Sequence, residues 1–196
     1  ALAALCGLTL VACSDDPASP TQPTTRIVNG TPVNVGGGTA TPYVTVDASN
    51  QPVAYGVRLT EGALSNLPDD APATEYLLPM PTAGAATGID HISLDYNPHG
   101  HDPEGIYTHE HFDIHFYYVS NAQRDSIPMG PDMTPIDPRY IPTDYVTFDH
   151  FSVPRMGVHY IDTTAAELHG HHFDKTFIYG FAGGRLTFLE PMITLD

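Results

Sequence analysis

Residues Tyr107–Tyr118 read YTHEHFDIHFYY, and the fold turns on how that stretch is taken. His109, His111, Asp113 and His115 occupy alternate positions, with Phe112, Ile114 and Phe116 between them. Successive side chains of a β-strand point to opposite faces. A strand here turns four ligand-type groups one way and an apolar row the other. One face can pack a core while the other gathers imidazole nitrogens and carboxylate oxygens. Asp90–Tyr96 repeats the pattern, with His91, Ser93 and Asp95 opposite Ile92, Leu94 and Tyr96.

Working outward, Tyr43–Val46 and Val53–Leu59 read as strands joined by a hairpin loop at Asp47–Pro52. Tyr76–Leu78 is a strand ending at Pro79, and Tyr145–Asp162 is a strand region broken by Pro154 and Gly157. Lys175–Phe181 and Arg185–Thr194 form a hairpin about Ala182-Gly183-Gly184. Short helices are predicted over Thr60–Leu67, with Thr60 as N-cap and Leu64 and Leu67 inward, over Ser120–Ser126, and over Thr163–Leu168, capped by Thr163 or Thr164. Thr82–Thr87 and Asn97–Gly105 read as loops. Pro128–Pro142, with five prolines, reads as an ordered loop or lid. The expectation is a mostly β protein: a single antiparallel β-barrel or sandwich domain over residues 26–196 with two or three short helices.

Composition agrees. Nineteen Pro, 17 Gly and 11 Tyr among 196 residues favour strands and turns over long helices. Asp and Glu number 23 against 7 Lys and Arg, a formal charge of −16. So few basic residues exclude nucleic acid as a partner and disfavour anionic membrane surfaces, whereas cations suit such a field. The two cysteines are Cys6 and Cys13, so any metal site in the folded part rests on His and carboxylates.

Residues 1–13, ALAALCGLTLVAC, are apolar and too short to span a bilayer. Leu10-Val11-Ala12-Cys13 has the form of a bacterial lipobox at the end of a signal peptide, followed at once by Ser14-Asp15-Asp16. Cleavage before Cys13 and lipid attachment to its thiol are expected, with Ser14 pointing to the outer membrane facing the periplasm. Neither Met nor a basic segment opens the sequence, so residues are expected before Ala1. Residues 14–25 form a Pro-, Ser- and Thr-rich tether.

Eleven histidines are a high count for this chain. Imidazoles bind Zn, Cu, Ni or Fe at about 2.0–2.1 Å, often with a carboxylate completing the set. Residues two apart on a strand lie about 7 Å apart and can share an ion, whereas residues four apart, about 13 Å, cannot do so easily. His111 and His115 therefore meet one ion only across a bulge. Asp113 can ligate, or orient a ring from behind. The other ligands have to come from different segments: His99 and His101 on the preceding loop, or His159, framed by Pro154 and Gly157. His169, His171 and His172 read as an exposed turn, and His91 as a strand-face residue. A buried His, Asp and Tyr network without an ion is the competing reading. Glu190 before Pro191 is open to two readings, a general base or, preferred here, a strand residue at a bulge. No Gly-x-Ser-x-Gly, no nucleophilic Cys and no phosphate loop is present in the sequence.

Two resemblances follow from these residues. His109-x-His111-x3-His115 and Pro154-x-x-Gly157-x-His159 resemble the two cupin motifs, with His115 where the first has a carboxylate. PHGHDPEGIY (Pro98–Tyr107), HFDIHFY (His111–Tyr117), VPRMGVHYID (Val153–Asp162), KTFIYGFAGGRLTFLEPMIT (Lys175–Thr194) and the Gly30–Pro68 run resemble a bacterial domain-of-unknown-function family. That family is named from a Thermus-type exported protein under extracytoplasmic sigma-factor control. The resemblance implies an exported, β-rich domain capable of homo-oligomeric assembly, and supplies no activity. It places His99, His101, His111, Asp113, His115 and His159 first as candidates and leaves His109 outside its motif. The expected protein is a cell-envelope lipoprotein domain that binds a divalent transition metal in a stress response. A cupin-like metalloenzyme and a metal-free structural module are the alternatives.

Overall fold

Apolar residues at every second position, interrupted by Pro and Gly, produce strands wherever a partner strand can take their hydrogen bonds. The computed structural model describes residues 24–70 and 72–195. Cys6, Cys13 and most of the proposed tether lie outside the described residues. The strands are β1 (Arg26–Asn29), β2 (Val33–Val35), β3 (Gly38–Val46), β4 (Pro52–Leu59), β5 (Thr74–Pro79), β6 (His91–Asn97) and β7 (His111–Tyr117). There follow β8 (Gly130–Pro131), β9 (Tyr145–Val146), β10 (Phe151–Ser152), β11 (Val158–Asp162), β12 (Lys175–Ala182) and β13 (Arg185–Thr194).

All pairing among the named strands is antiparallel. In the smaller, four-stranded sheet, β1 and β2 share one edge of β3 while β4 takes the other. The larger sheet runs β5-β6-β7-β13-β12-β11-β9 and is open, with β5 and β9 at its ends, while β8 and β10 form a separate ribbon. This is a layered arrangement, and among the described residues no sheet closes into the barrel that was the other option.

The layers meet through one apolar cluster. Ile92, Leu94 and Tyr96 of β6 and Phe112 and Phe116 of β7 pack with Val35 and Ala40 of the smaller sheet and with Ala63. These five β6 and β7 residues are the apolar halves of the two alternating stretches. Their polar halves must then face the opposite side of the larger sheet, where Tyr107, Tyr117, Phe173, Phe188 and Met192 form a second cluster around them.

Helical structure is shorter than its sequence signals. One α-helix, α1 (Asn121–Asp125), begins with a capping box in which the Ser120 hydroxyl accepts from the Gln123 amide and the Gln123 side chain accepts from Ser120 N–H. The Thr60 segment closes as a 3-10 turn, Glu61–Leu64, that buries Ala63 and leaves Leu64 exposed. Thr60 does not cap it; its hydroxyl accepts instead from the Thr39 amide at 2.9 Å. Thr82–Thr87, read as loop, is also a 3-10 turn. Ala166–His169 is capped by neither Thr163 nor Thr164, and Thr164 instead donates to Asp162. In each case a short segment between strands has room for one tight turn, and the spacing of an α-helical face does not apply.

Candidate metal centre

The polar face of the larger sheet is built from three adjacent strands. β6 contributes Asp95 and Asn97, and β7 contributes His111, Asp113 and His115, with Asp95 opposite Asp113 and Asn97 opposite His111. On the other side of β7, Phe188 pairs with Tyr117 and Met192 with Asp113, which sets Glu190 between them beside His115. His159 lies two strands further on, opposite Gly180.

His101 arrives from the loop after β6. That loop folds back because Gly100 has φ +64°, and a Cβ there would stand 2.1 Å from the Tyr107 carbonyl oxygen. The His101 amide donates to the same carbonyl at 2.9 Å. His159 depends on a similar device: Gly157, φ +109°, passes against the Phe181 carbonyl where a side chain would clash at 2.3 Å.

His101, His111 and Asp113 bring one ligand atom each within 4.8 Å of one another. His101 Nε2 is 3.3 Å from Asp113 Oδ2, and His111 Nε2 is 3.0 Å from Asp113 Oδ1. The backs of the rings are fixed. His111 Nδ1 sits 2.6 Å from the His109 carbonyl, and His101 Nδ1 sits 2.7 Å from the Asp102 carbonyl. A carbonyl can only accept, so each Nδ1 carries hydrogen and donates, leaving Nε2 turned to Asp113. Asn97 Nδ2 donates to Asp113 Oδ2 at 2.8 Å and sets the carboxylate plane. An imidazole held from behind, facing a carboxylate held by an amide, is the arrangement that orients metal ligands.

His115 repeats the scheme. Its Nδ1 donates to Asp95 Oδ2 at 2.9 Å and its Nε2 lies 3.2 Å from Glu190 Oε1. His159 Nε2 stands 4.0 Å from Glu190 Oε2. His111 and His115 are fully buried, and Asp113 and Glu190 nearly so. Yet His111 Nε2, Asp113 Oδ1, His115 Nε2 and Glu190 Oε2 make no hydrogen bond.

Burial and mutual charge shift these groups strongly. Burial disfavours a charged His101, but the hydrogen bond and charge of Asp113 outweigh it and hold the ring up at about 9. His115 is likewise held at about 9, burial being overcome by the charge of Glu190 and the hydrogen bond to Asp95. Burial would raise Asp113, but the facing His101 and His111 rings keep it well below the usual carboxylate range. Burial pushes Glu190 well above that range, against the pull of His115. His159, half-buried and close to the His115 and His101 charges, is lowered to about 4, the partial loss of water being the largest cause.

A cavity of about 840 Å³ opens onto this centre. His101, Asp113, His159 and Glu190 reach it from the sheet, while Phe148, Phe151 and Met156 belong to its apolar wall.

Of the residues singled out in the sequence, His101, His111 and Asp113 come together, and His115 and His159 flank them through Glu190. His99 is exposed and outside this close set. His109 precedes the strand, is exposed, and its ring lies 4.7 Å from that of His172. His91 is buried and stacks on Tyr117 at 5.0 Å, and His169, His171 and His172 are on an exposed turn. Asp95 and Asn97 are functional candidates that sequence reasoning missed, and Glu190, weighed as a general base, was set aside as a strand residue. The available signal was Glu190 lying among Phe188, Met192 and Thr194 at alternate positions, a carboxylate on an otherwise mostly apolar strand face.

The fold and centre define a mostly β protein in which the buried His111 and Asp113, with the partly exposed His101, could hold a metal ion. Residues 47–96 match the model of the TTHB210-like family, described as Hypothetical protein TTHB210, a family without a known function. The matched stretch runs from the β3–β4 turn to Tyr96 and includes Asp95 but none of the three ligand candidates. No curated protein and no solved structure matches the chain.

Proposed function

We propose that the chain is an exported, lipid-anchored protein of the bacterial cell envelope that binds a divalent transition metal through His101, His111 and Asp113. The observation that carries the metal reading is that His101, His111 and Asp113 bring ligand atoms within 4.8 Å of one another, with His111 Nε2 and Asp113 Oδ1 buried 3.0 Å apart yet making no hydrogen bond. A hydrogen-bond network that served structure alone would pair them, since a buried polar atom without a partner costs about 1–3 kcal/mol. A cation satisfies several at once. Two imidazoles and a carboxylate suit Zn, Ni, Cu or Fe, and the role that fits is metal handling or sensing under envelope stress. Metal analysis of protein purified without a His-tag tests this. Near-stoichiometric metal is expected, lost in His101→Ala and in the near-isosteric Asp113→Asn while the circular dichroism spectrum is retained. No bound metal, with a melting temperature unmoved by any added ion, would leave only the structural network.

The anchor rests on the Leu10–Cys13 lipobox. Labelled fatty acid is expected on the wild type and not on Cys13→Ser; equal labelling of both would remove the anchor from the proposal.

The cavity favours a second reading, a metalloenzyme. Apolar walls beside an ion with open positions can seat a substrate whose polar end the ion polarises, or expose it to metal-activated water.

A further inference from the structure

Glu190 and its neighbours are not needed to complete the His101, His111 and Asp113 set. They have the makings of a set of their own. Around Glu190 stand His115 Nε2 at 3.2 Å and His159 Nε2 at 4.0 Å, one on each carboxylate oxygen. Donors bound tetrahedrally at about 2.1 Å from an ion sit roughly 3.4 Å from each other. The His115 spacing already suits this, whereas His159 faces the other carboxylate oxygen and the three ligand atoms do not all lie within 4.8 Å as those of the first set do, so His159 has to swing in to join them. His159 can do so: its side chain keeps 23% of its exposure and lines the cavity. The ring of His115 is fixed from behind by Asp95, as that of His111 is by the His109 carbonyl. His115 Nε2 and Glu190 Oε2 are both buried and make no hydrogen bond. An ordinary His–Glu ion pair would use these atoms on each other in a well-formed hydrogen bond.

The composition of this group repeats that of its neighbour, two imidazoles and one carboxylate. Asp113 and His115 are two residues apart on the same face of β7, so the two sets are rooted side by side. The charges of Asp113 and His101 act on Glu190 directly, as expected of adjoining sites. His101, Asp113, His159 and Glu190 all reach the one cavity.

We propose that His115, Glu190 and His159 form a second cation position beside the first, so that the chain holds a pair of divalent transition-metal ions at the cavity floor. This rests on the metal reading of the first set. Its consequence is chemical: two adjacent ions can share one oxygen ligand and hold an oxyanion between them, which one ion cannot do.

Counting ions decides it. The exposed turn at His171 and His172 could bind metal adventitiously, so both are first changed to Ala in every protein compared. Metal-stripped chain is loaded with excess Zn²⁺, passed through a desalting column and analysed for zinc. Two ions per chain are expected in this background, and one after either His159→Ala or Glu190→Gln, with unchanged circular dichroism. His159 lines the cavity, so its loss should leave the fold intact, and Gln preserves the shape of Glu190. One ion in the background, kept in both variants, would overturn the second position and spare the first. One ion in the background that disappears in both would mean that all six groups serve a single ion, again overturning the pair. Two ions that survive both changes would overturn the assignment to these residues. No ion in the background would remove both positions.

Discussion

Asn97 shows how much of this centre depends on groups that touch no ion. It is buried at the end of β6, and its amide donates to the Asp113 oxygen that faces His101. Without that donor the carboxylate is free to rotate, and the three ligand atoms no longer hold their mutual spacing. Loss of such an orienting partner typically lowers metal affinity about 10–100-fold. Asn97→Ala is therefore expected to weaken ion binding by about that factor, measured by competition with a chromophoric chelator, with little change in secondary structure. Affinity equal to wild type would show that β7 alone sets the Asp113 carboxylate. Nothing in the sequence near Asn97 announces this role, because it depends on which strand β6 lies against.

At the scale of elements, what could be read from the chain follows the reach of each physical signal. The alternation in β6 and β7 was legible because it is local: each apolar side chain on one face implies a polar one on the other. The same signal could not say where β7 begins. Its pairing starts at His111 because Asn97 of β6 and Thr194 of β13, the residues opposite it, lie at or beside the ends of their own strands. His109 and Glu110 precede that point, and the fourth member of the alternating row falls off the sheet. Glu190 was hidden for a related reason. Only the register of β13 against β7 puts it beside His115, and register is set by the whole hairpin rather than by any short motif. Four residues apart on β7, His111 sides with Asp113 while His115 turns to Glu190. His101 was legible as a candidate ligand through its place on a Pro- and Gly-rich loop, though His99, two residues earlier, satisfied the same description. The turn at Gly100 separates them, and its direction is fixed by the Tyr107 carbonyl it packs against.

For the molecule as a whole, a formal charge of −16 favours cations near the protein, and an ion entering the buried centre would have to displace protons there. His101 and His115 titrate near 9 in the folded chain, against about 6.5 for an unperturbed ring. A group whose folded pKa is raised stabilises the fold fully below its unfolded value and loses that contribution as pH climbs through the folded one. The raised Glu190 carboxyl acts in the same direction as it ionises. His159, lowered to about 4, works the other way, but only as pH falls from about 6.5. The metal-free protein should accordingly lose melting temperature between about pH 6.5 and pH 9. Bound metal reverses the trend over the same window, because the protons that hydroxide removes are the ones an ion must displace. The rise in melting temperature on adding Zn²⁺ or Ni²⁺ should thus grow from pH 6.5 upward, compared in melts with and without chelator. An ion-induced rise that stays flat or shrinks with increasing pH would mean the ion does not compete with protons at His101 and His115. Binding would then have to reside elsewhere, with the exposed turn at His171 and His172 the first place to look.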